Sequence, residues 1–307
     1  MTLEPSAWRT VGGMVAYNAC SISMLLCNKR LVTNGAMHPL RITLVQLVIS
    51  LGLQVVVQVV RRFVRGAPPV ADTMELSHTQ WLAALPTSLL FVAKLTVGAR
   101  LLATVPLALY PVISALTIPM SALCSLLIER RNTVGTWWGV PPLAAVVVGY
   151  LVGTQHEIAL ASWHTLLAVG SCLASTCYTV MVSRILATKC MTQSQLLMAN
   201  TVWSVIALAL AVELLVDART DEYTGASALP LLLGSGLVGY LTNIATFAVV
   251  ARTSPLTLEV VGNLKGAVQS ALSLAMFGES WQVHNTVGTV LKIVGSLWFT
   301  ATTVERT

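Results

Sequence analysis

A lysine lies in the middle of an apolar stretch that is long enough to cross a membrane. The stretch reads TSPLTLEVVGNLKGAVQSALSLAMF, residues 253–277, and Lys265 comes ten residues after Pro255. A helix rising ~1.5 Å per residue places this lysine ~15 Å along, half-way through a hydrocarbon core ~30 Å thick. A charge there costs at least ~2.5–3.5 kcal/mol and persists only beside water, a counter-ion or an anionic ligand. We interpret Lys265 as a contact for an anionic ligand.

The alternative for Lys265 is an internal ion pair with Glu259. Residues six apart lie ~240° apart around a helix, so this pair is poor within one helix. Asn263 lies two residues before Lys265 and joins the candidate site. Gly262 and Gly266 flank the lysine, and their lack of a side chain suits either close approach by a ligand or close packing against another helix. Both interpretations of the glycines stay open.

Three other lysines lie within or at the end of apolar stretches. Lys94 lies ~21 Å along its run, where a ligand contact and a reach to the interface are equally consistent with its depth. Lys292 lies ~10 Å from the start of its run, a depth consistent with facing a cavity or reaching the headgroups, and the reach to the headgroups is favoured. Lys29 ends the first run beside Arg30, where an interfacial role is favoured. We keep Lys94 and Lys29 as candidates for substrate contacts.

Uncharged polar side chains also fall inside the apolar runs. Any one of them more often bonds a neighbouring helix than a ligand, because a buried polar group needs a partner. As a set they predict a polar cavity. Tyrosine and asparagine suit a sugar or a base, whereas lysine suits a phosphate. The candidates of this kind are Tyr110, Asn200, Ser204, Tyr240 and Asn243.

The composition requires a membrane to hold these residues. Of 307 residues, 55% are hydrophobic and 10% are charged, and the mean hydropathy is +0.77. Soluble domains carry about 25% charged residues, so the chain is predicted to be an integral membrane protein in a lipid bilayer. The net charge of +6 lies mostly between the apolar runs, which favours a topology signal over binding of nucleic acid.

The sequence contains ten apolar runs of about the length that a spanning helix needs. The fourth run contains Pro106, Pro111 and Pro119 and is therefore predicted to be kinked. The runs lie near 8–28, 40–60, 79–98, 105–128, 134–153, 160–187, 194–216, 228–250, 255–277 and 285–304.

Loop charges and the number of runs predict the topology. Of fifteen Lys and Arg residues in or beside loops, ten lie on the same side as the N-terminus and five on the other, so both termini are predicted to be cytosolic. The fold class is thus all-α, with ten transmembrane helices. Two inverted five-helix repeats, 1–153 and 154–307, would form a single transporter domain with its substrate site near the midplane.

Catalytic and metal-binding patterns are absent from the sequence. No His/Asp/Glu spacing fits a metal site, and no apolar run carries two carboxylates. The six cysteines form no CxxC or Cys/His motif and are interpreted as small apolar fillers. We therefore expect that the protein is not an enzyme and that it binds no cofactor and no metal.

The motifs resemble those of the nucleotide-sugar transporters and triose-phosphate translocators, within the drug/metabolite transporter superfamily. NKRLV is similar to the family's Asn-Lys at Asn28 and Lys29, and LPTSLLFVAKLTVGARLLATVPLALYP follows its third-to-fourth helix pattern. LLMANTVWS, with Asn200 and Ser204, looks like the family's Tyr-Tyr-Asn-Asn stretch. The strongest match is TSPLTLEVVGNLKGAV, which supplies Ser254, Leu256, Thr257, Val261, Gly262 and Lys265.

Three departures from the family pattern bear on the substrate. Gly266 stands where triose-phosphate translocators carry an arginine after the lysine, which argues against a sugar phosphate. Met198 and Ala199 stand where the GDP-mannose carriers have two aromatic residues. Lys265 also comes one residue earlier than the matching lysine of those carriers, and both differences argue against GDP-mannose. In the fourth run, Val112 or Ile113 takes the place of a basic residue. We hypothesise that Lys94 supplies that missing charge.

The resemblance implies a Golgi or ER antiporter, and whether it forms a homodimer stays open. It would exchange a cytosolic nucleotide-sugar for the lumenal nucleoside monophosphate, and elimination favours a UDP-sugar over a GDP-sugar. One alternative is a sugar-phosphate/phosphate exchanger. Another is a non-transporting membrane scaffold with the same fold. The exchanger would require the missing Lys-Arg pair, and the scaffold would tolerate loss of Lys265.

Overall fold

The computed structural model describes residues 5–33, 37–65, 76–129, 140–154, 162–216, 229–278 and 282–304. Throughout these residues the ordered elements are helices, and no β-strand occurs among them. The helices are α1 (Pro5–Thr33), α2 (Pro39–Arg65), α3 (His78–Thr104), α4 (Tyr110–Ser114), α5 (Thr117–Cys124), α6 (Val140–Thr154), α7 (Ser162–Ala187), α8 (Gln193–Leu215), α9 (Leu229–Arg252), α10 (Pro255–Phe277) and α11 (Val283–Val304), with a π-helical turn at Ser125–Glu129 after α5.

The prediction of a helical membrane protein is confirmed. Within the described ranges, seven stretches are helical, long and apolar enough to cross a bilayer. Helix α6 is apolar but has 15 described residues, and α10 and α11 are not among the seven. Polar side chains such as Glu259, Lys265 and Gln269 lower the hydropathy of α10. The count of ten spanning helices and the inverted repeats therefore stay predictions.

The predicted kink in the fourth run is confirmed as a break. Residues 105–109 turn between α3 and α4, and 115–116 separate α4 from α5. Through this stretch several backbone N–H groups bond three residues back, as Val112 does to Leu109 and Ala115 to Val112. Pro111 and Pro119 contribute no N–H group, so a regular α-helical ladder cannot form here.

Local sequence signals define the ends of α8 and α10. Thr192 and Gln195 form a capping box at the start of α8. Ser254 accepts a hydrogen bond from the Thr257 N–H, and Pro255 takes the first helical position of α10. Gly278 ends α10 with φ +61°, a left-handed conformation that glycine adopts without steric cost. These signals bracket the run that carries Lys265.

The chain forms two compact units, and each combines segments from both predicted halves. The first unit comprises residues 1–99 and 181–252. Within it α9 packs on α1 and α2, and α2 packs on α8. Leu31 and Ile42 form a small buried cluster with Leu231 and Leu232. Trp203 of α8 donates its indole N–H to the Trp81 carbonyl of α3 at 3.0 Å.

The second unit comprises residues 100–180 and 253–307. Helix α11 packs on α6, while α10 packs on α4, α5 and α11. The α6–α11 contact is close because glycines face each other there. Asn285 of α11 donates to the Gly153 carbonyl at 2.9 Å and fixes the register of this pair.

We predict that Gly288→Ala lowers the melting temperature of the purified protein. An added Cβ at this position would lie 2.5 Å from Gly153 Cα and 2.6 Å from the Gly149 carbonyl oxygen. Both neighbours are backbone atoms, so the helices must separate, at a cost of about 1–3 kcal/mol. The matched control is Gly170→Ala in α7, where nothing lies within 4 Å. Equal melting temperatures for the two variants would contradict this account of the contact.

Candidate functional site

Helix α10 presents a polar, small-residue face to the interior of the second unit. Asn263, Gly266 and Ser270 are buried along it at helical spacing, which places them on one side. Asn263 donates to the Glu259 carbonyl at 3.0 Å, and its side-chain oxygen has no partner among the described residues. Glu259 accepts from Thr179 of α7 at 3.4 Å through its carboxylate. A helix packed only against apolar groups would not bury so many polar side chains, so this face indicates that the interior of the second unit is polar.

The broken fourth run receives hydrogen bonds from three neighbouring helices. Within the stretch, Ser114 Oγ donates to the Pro111 carbonyl at 2.9 Å and the Leu116 N–H donates to the Ile113 carbonyl at 3.2 Å, and side chains of neighbouring helices add to these bonds. The donors are Ser270 Oγ of α10 to the Ala108 carbonyl at 2.8 Å, Lys292 Nζ of α11 to the Pro111 carbonyl at 2.7 Å, and Cys172 Sγ of α7 to the Ile113 carbonyl at 3.4 Å.

Lys292 lies at the centre of this arrangement. Its side chain is 0% exposed, and its ammonium donates to the Pro111 carbonyl. The favoured interpretation, a reach to the headgroups, is therefore wrong: the side chain turns into the protein, where the broken segment offers an acceptor. A Cβ at Gly266 would lie 2.7 Å from Nζ and 2.6 Å from Pro111 Cβ. The missing side chain of Gly266 thus makes room for the ammonium.

The remaining predicted residues of the second unit lie close to this centre in sequence. Lys265 and Gly262 are both half-buried on α10. Gly266 follows Lys265 directly, so the Lys292 ammonium contacts the helix one residue beyond Lys265. Tyr110 begins α4 and packs against a buried cluster that includes Leu109 and Ile113. The second unit therefore brings Lys292, Gly266 and the broken segment together.

In the first unit a glutamine connects three helices. Gln46 of α2 donates through Nε2 to Asn28 of α1 at 2.6 Å and to Ser235 of α9 at 2.8 Å. Its side-chain oxygen is buried without a partner in the described ranges. Asn28, predicted as a substrate contact, thus has a partner on α2, and its role with substrate stays a prediction.

A second polar contact joins α2 to α8. Gln54 donates to Thr201 Oγ1 at 2.8 Å. Asn200 and Ser204 are 2% and 0% exposed, and the Asn200 side-chain oxygen and the Ser204 hydroxyl have no hydrogen-bond partner within the described ranges. Ser50 of α2 is 1% exposed, and its hydroxyl is equally unpartnered there. These buried groups have capacity for further hydrogen bonds.

The other predicted residues of the first unit lie on three helices. Lys29 is half-buried on α1, and Lys94 is half-buried on α3. On α9, Tyr240 is buried and Asn243 is half-buried. Their roles with substrate stay predictions.

The sequence analysis missed the polar stripe of α2. Gln46, Ser50 and Gln54 recur every four residues within an otherwise apolar run, which places them on one helix face. That spacing was visible in the sequence. The pairing of Lys292 with Pro111 was not visible, because it depends on which carbonyl groups the broken segment exposes.

These features define the class of protein: a multi-pass helical membrane protein with buried polar groups and lysines inside its helices. The Triose-phosphate Transporter family model matches residues 11–300. The chain belongs to this family, whose members are transporters.

Curated relatives align with nearly the whole chain. GDP-fucose transporter 1 of Dictyostelium discoideum is 25% identical, over 96% of this chain and 81% of its own. UDP-galactose transporter 1 of Arabidopsis thaliana is 22% identical, over 96% and 88%. A probable sugar phosphate/phosphate translocator of Arabidopsis thaliana is 25% identical, over 94% of each chain. One solved crystal structure, 14% identical, has a TM-score of 0.63 over 95% of this chain and 98% of its own, which shows the fold alone.

We predict that Ser270→Ala destabilises the protein by about 1–3 kcal/mol, because it leaves the buried Ala108 carbonyl without the Ser270 donor. Thermal unfolding of the purified protein measures the effect. Ser194→Ala, at an exposed position of α8, is the control and should change stability by less than about 0.5 kcal/mol. If both variants melt as the wild type does, the carbonyl does not depend on this serine.

Proposed function

We propose that the protein is a nucleotide-sugar antiporter. It brings a cytosolic nucleotide-sugar into the lumen of the Golgi or ER and exchanges it for the nucleoside monophosphate. The observation that carries the proposal is the alignment of nearly the whole chain with transporters of GDP-fucose and UDP-galactose. Golgi is preferred as the compartment, and a homodimer is a possible assembly.

Polar groups inside the helices support a substrate of this kind. A nucleotide-sugar carries a diphosphate, which requires cations, and a base and a sugar, which require hydrogen bonds. Lys265 and Lys292 are candidates for the phosphates. Asn200 and Ser204, whose oxygens are unpartnered in the described part of the chain, are candidates for the base or sugar.

Helix pairing supports the inverted repeat and the exchange mechanism. The second and seventh predicted runs pack together as α2 and α8, and the fifth and tenth pack as α6 and α11. The ninth run, α10, packs on the fourth, α4 and α5. The runs of these three pairs lie five apart, as two repeats of five helices would place them, whereas α9, the eighth run, packs on the first and second runs. Rocking of such repeats exposes a midplane site to each side in turn, and slow return of the empty carrier gives exchange.

A UDP-sugar is favoured over a GDP-sugar. Met198 and Ala199 stand where the GDP-mannose carriers have two aromatic residues, and both are buried at 9% and 0% exposure. Neither methionine nor alanine offers an aromatic surface on which a purine could stack. Because relatives of both base classes align with the chain, uptake with different internal nucleotides must decide the base.

The second candidate is a sugar-phosphate/phosphate exchanger. The sequence argues against this exchanger, because Gly266 follows Lys265 where triose-phosphate translocators have an arginine. The packing of Gly266 against Pro111 leaves no room for an arginine side chain. However, Lys292 brings a cation to the same position from α11, which favours this candidate. The relatives that are named as probable sugar phosphate/phosphate translocators also favour it.

We predict that proteoliposomes preloaded with UMP take up a labelled UDP-sugar, and that Lys265→Ala lowers this uptake at least about tenfold. Loss of a charge-assisted bond to phosphate costs about 1.5–3 kcal/mol, which is the reason for the expected size. Lys189→Ala, at an exposed position between α7 and α8, is the control and should retain uptake. Preloading with GMP, CMP or phosphate tests the other base and the exchanger.

Each remaining outcome has one interpretation. Uptake of sugar phosphate that depends on internal phosphate would favour the exchanger. Folded wild-type protein that takes up none of these compounds would favour the scaffold and contradict the proposed transport. Full uptake by Lys265→Ala would remove that lysine from the site.

We predict that Lys94→Gln weakens substrate affinity, raising KM several-fold, because the proposal gives Lys94 one charge for the substrate's phosphates. The substitution keeps a polar side chain of similar length and removes the charge. Uptake measured over a range of nucleotide-sugar concentrations gives KM, with Lys189→Gln as the control for net charge. An unchanged KM would exclude Lys94 from phosphate binding.

A further inference from the structure

We propose that Lys292, Gln269 and Thr289 form an anion subsite in the second unit, which takes a phosphate group of the substrate. The proposal rests on the proposed function and names a site beyond Lys265. In this subsite the bond from Lys292 to Pro111 is the contact that the ammonium makes when no anion is bound.

The first support is the imbalance around Lys292. An ammonium has three N–H donors, and the described residues give it one acceptor, the Pro111 carbonyl, and no acidic partner. The side chain is 0% exposed. A buried charge normally has a counter-ion and full hydrogen bonding, because its desolvation is otherwise uncompensated. A bound anion supplies both.

The second support is that the broken segment does not need a charged donor. The Ala108 carbonyl accepts from a serine hydroxyl at 2.8 Å, and the Ile113 carbonyl accepts from a cysteine thiol at 3.4 Å. Neutral side chains cost much less to bury than an ammonium. A neutral donor would be enough for the Pro111 carbonyl, so that hydrogen bond does not explain the charge of Lys292.

The third support is a pair of unpartnered polar groups that lie three residues from Gly266 and from Lys292 along their helices. Within the described part of the chain, Gln269 Nε2 and Thr289 Oγ1 are buried and have no hydrogen-bond partner. Their side chains are 2% and 8% exposed. An amide N–H₂ and a hydroxyl can both donate to a phosphate oxygen. Gln269 and Thr289 thus add two unpartnered donors, whereas the unpartnered Asn263 Oδ1, three residues before Gly266, is an acceptor.

The directions of α10 and α11 place Gln269 and Thr289 towards the same end of this helix pair. The two helices are consecutive, packed and joined by a short connection, so they run antiparallel. Gly266 lies against the Lys292 ammonium. Gln269 is three residues after Gly266 and Thr289 is three before Lys292, so each lies ~4.5 Å further in the same direction. Residues three apart share a helix face, which keeps the donors on one side.

Gly266 brings the two lysines to the same part of α10. Pro111 Cβ and the Lys292 ammonium occupy the space that a Cβ of Gly266 would take, so the ammonium lies against α10 one residue after Lys265. A diphosphate has two phosphate groups. One would lie on Lys265 and the other on Lys292 with Gln269 and Thr289.

The test is binding to the purified full-length protein by isothermal titration calorimetry. The probes are UMP and GMP, the matching nucleosides uridine and guanosine, and pyrophosphate. We expect Lys292→Gln to weaken binding of the monophosphate about tenfold or more and to leave nucleoside binding unchanged, since charged hydrogen bonds are the stronger ones. Thr289→Val and Gln269→Leu should each weaken the monophosphate a few-fold. Lys189→Gln is the control.

The variants separate an anion site from a structural cap. Glutamine keeps N–H donors on a side chain one atom shorter than that of lysine and removes the charge, so wild-type binding by Lys292→Gln would overturn the proposal. Equal losses for nucleoside and monophosphate would also overturn it, as a folding defect. Thr289→Val keeps the shape of the side chain and removes the hydroxyl. Its binding of the monophosphate therefore tests the subsite if Lys292→Gln fails to fold.

The wild type separates the proposed function from the subsite. Wild type that binds pyrophosphate but no nucleotide, with the loss confined to the subsite variants, would support the subsite and contradict the nucleotide-sugar function. Wild type that binds none of the phosphate compounds would overturn both.

Discussion

The second unit depends on one constraint: the backbone of the broken fourth run must find hydrogen bonds in an apolar interior. Three prolines prevent a regular helix there, and water is not available to replace the lost bonds. Side chains of α7, α10 and α11 donate to carbonyl groups between residues 108 and 113. The same contacts determine which faces of those helices turn inward. The polar face of α10 and the burial of Lys292 both follow from this requirement.

The first unit uses polar side chains in a different way. Its helices are regular, so the hydrogen bonds run between side chains: Gln46 joins α1, α2 and α9, and Gln54 joins α2 to α8. Such pairs are worth about 1 kcal/mol or less each in membranes. They leave several buried oxygen atoms without partners in the described ranges, among them those of Asn200 and Ser204. The fully buried polar groups of the first unit are thus neutral, whereas those of the second include the ammonium of Lys292.

The sequence predicted the helices better than it predicted which side chains bond each other. Apolar length defined the runs because a bilayer fixes how many residues a span needs, and prolines predicted the break in the fourth. Partners depend on helix rotation and register, which periodicity does not determine. The position of Lys292 was predicted from its distance to the helix start, yet its side chain turns towards the Pro111 carbonyl, which also accepts from Ser114. Asn28 was placed by its motif, yet Gln46 is the residue that bonds it.

The most direct test of this account is an experimental structure of the protein with a nucleoside monophosphate bound. The central claim is that the broken fourth run holds Lys292 where it can take a phosphate. The account predicts a phosphate oxygen within hydrogen-bond distance of Lys292 Nζ, while Ser270 still donates to the Ala108 carbonyl. A phosphate bound elsewhere, with Lys292 still bonded to the Pro111 carbonyl alone, would contradict it.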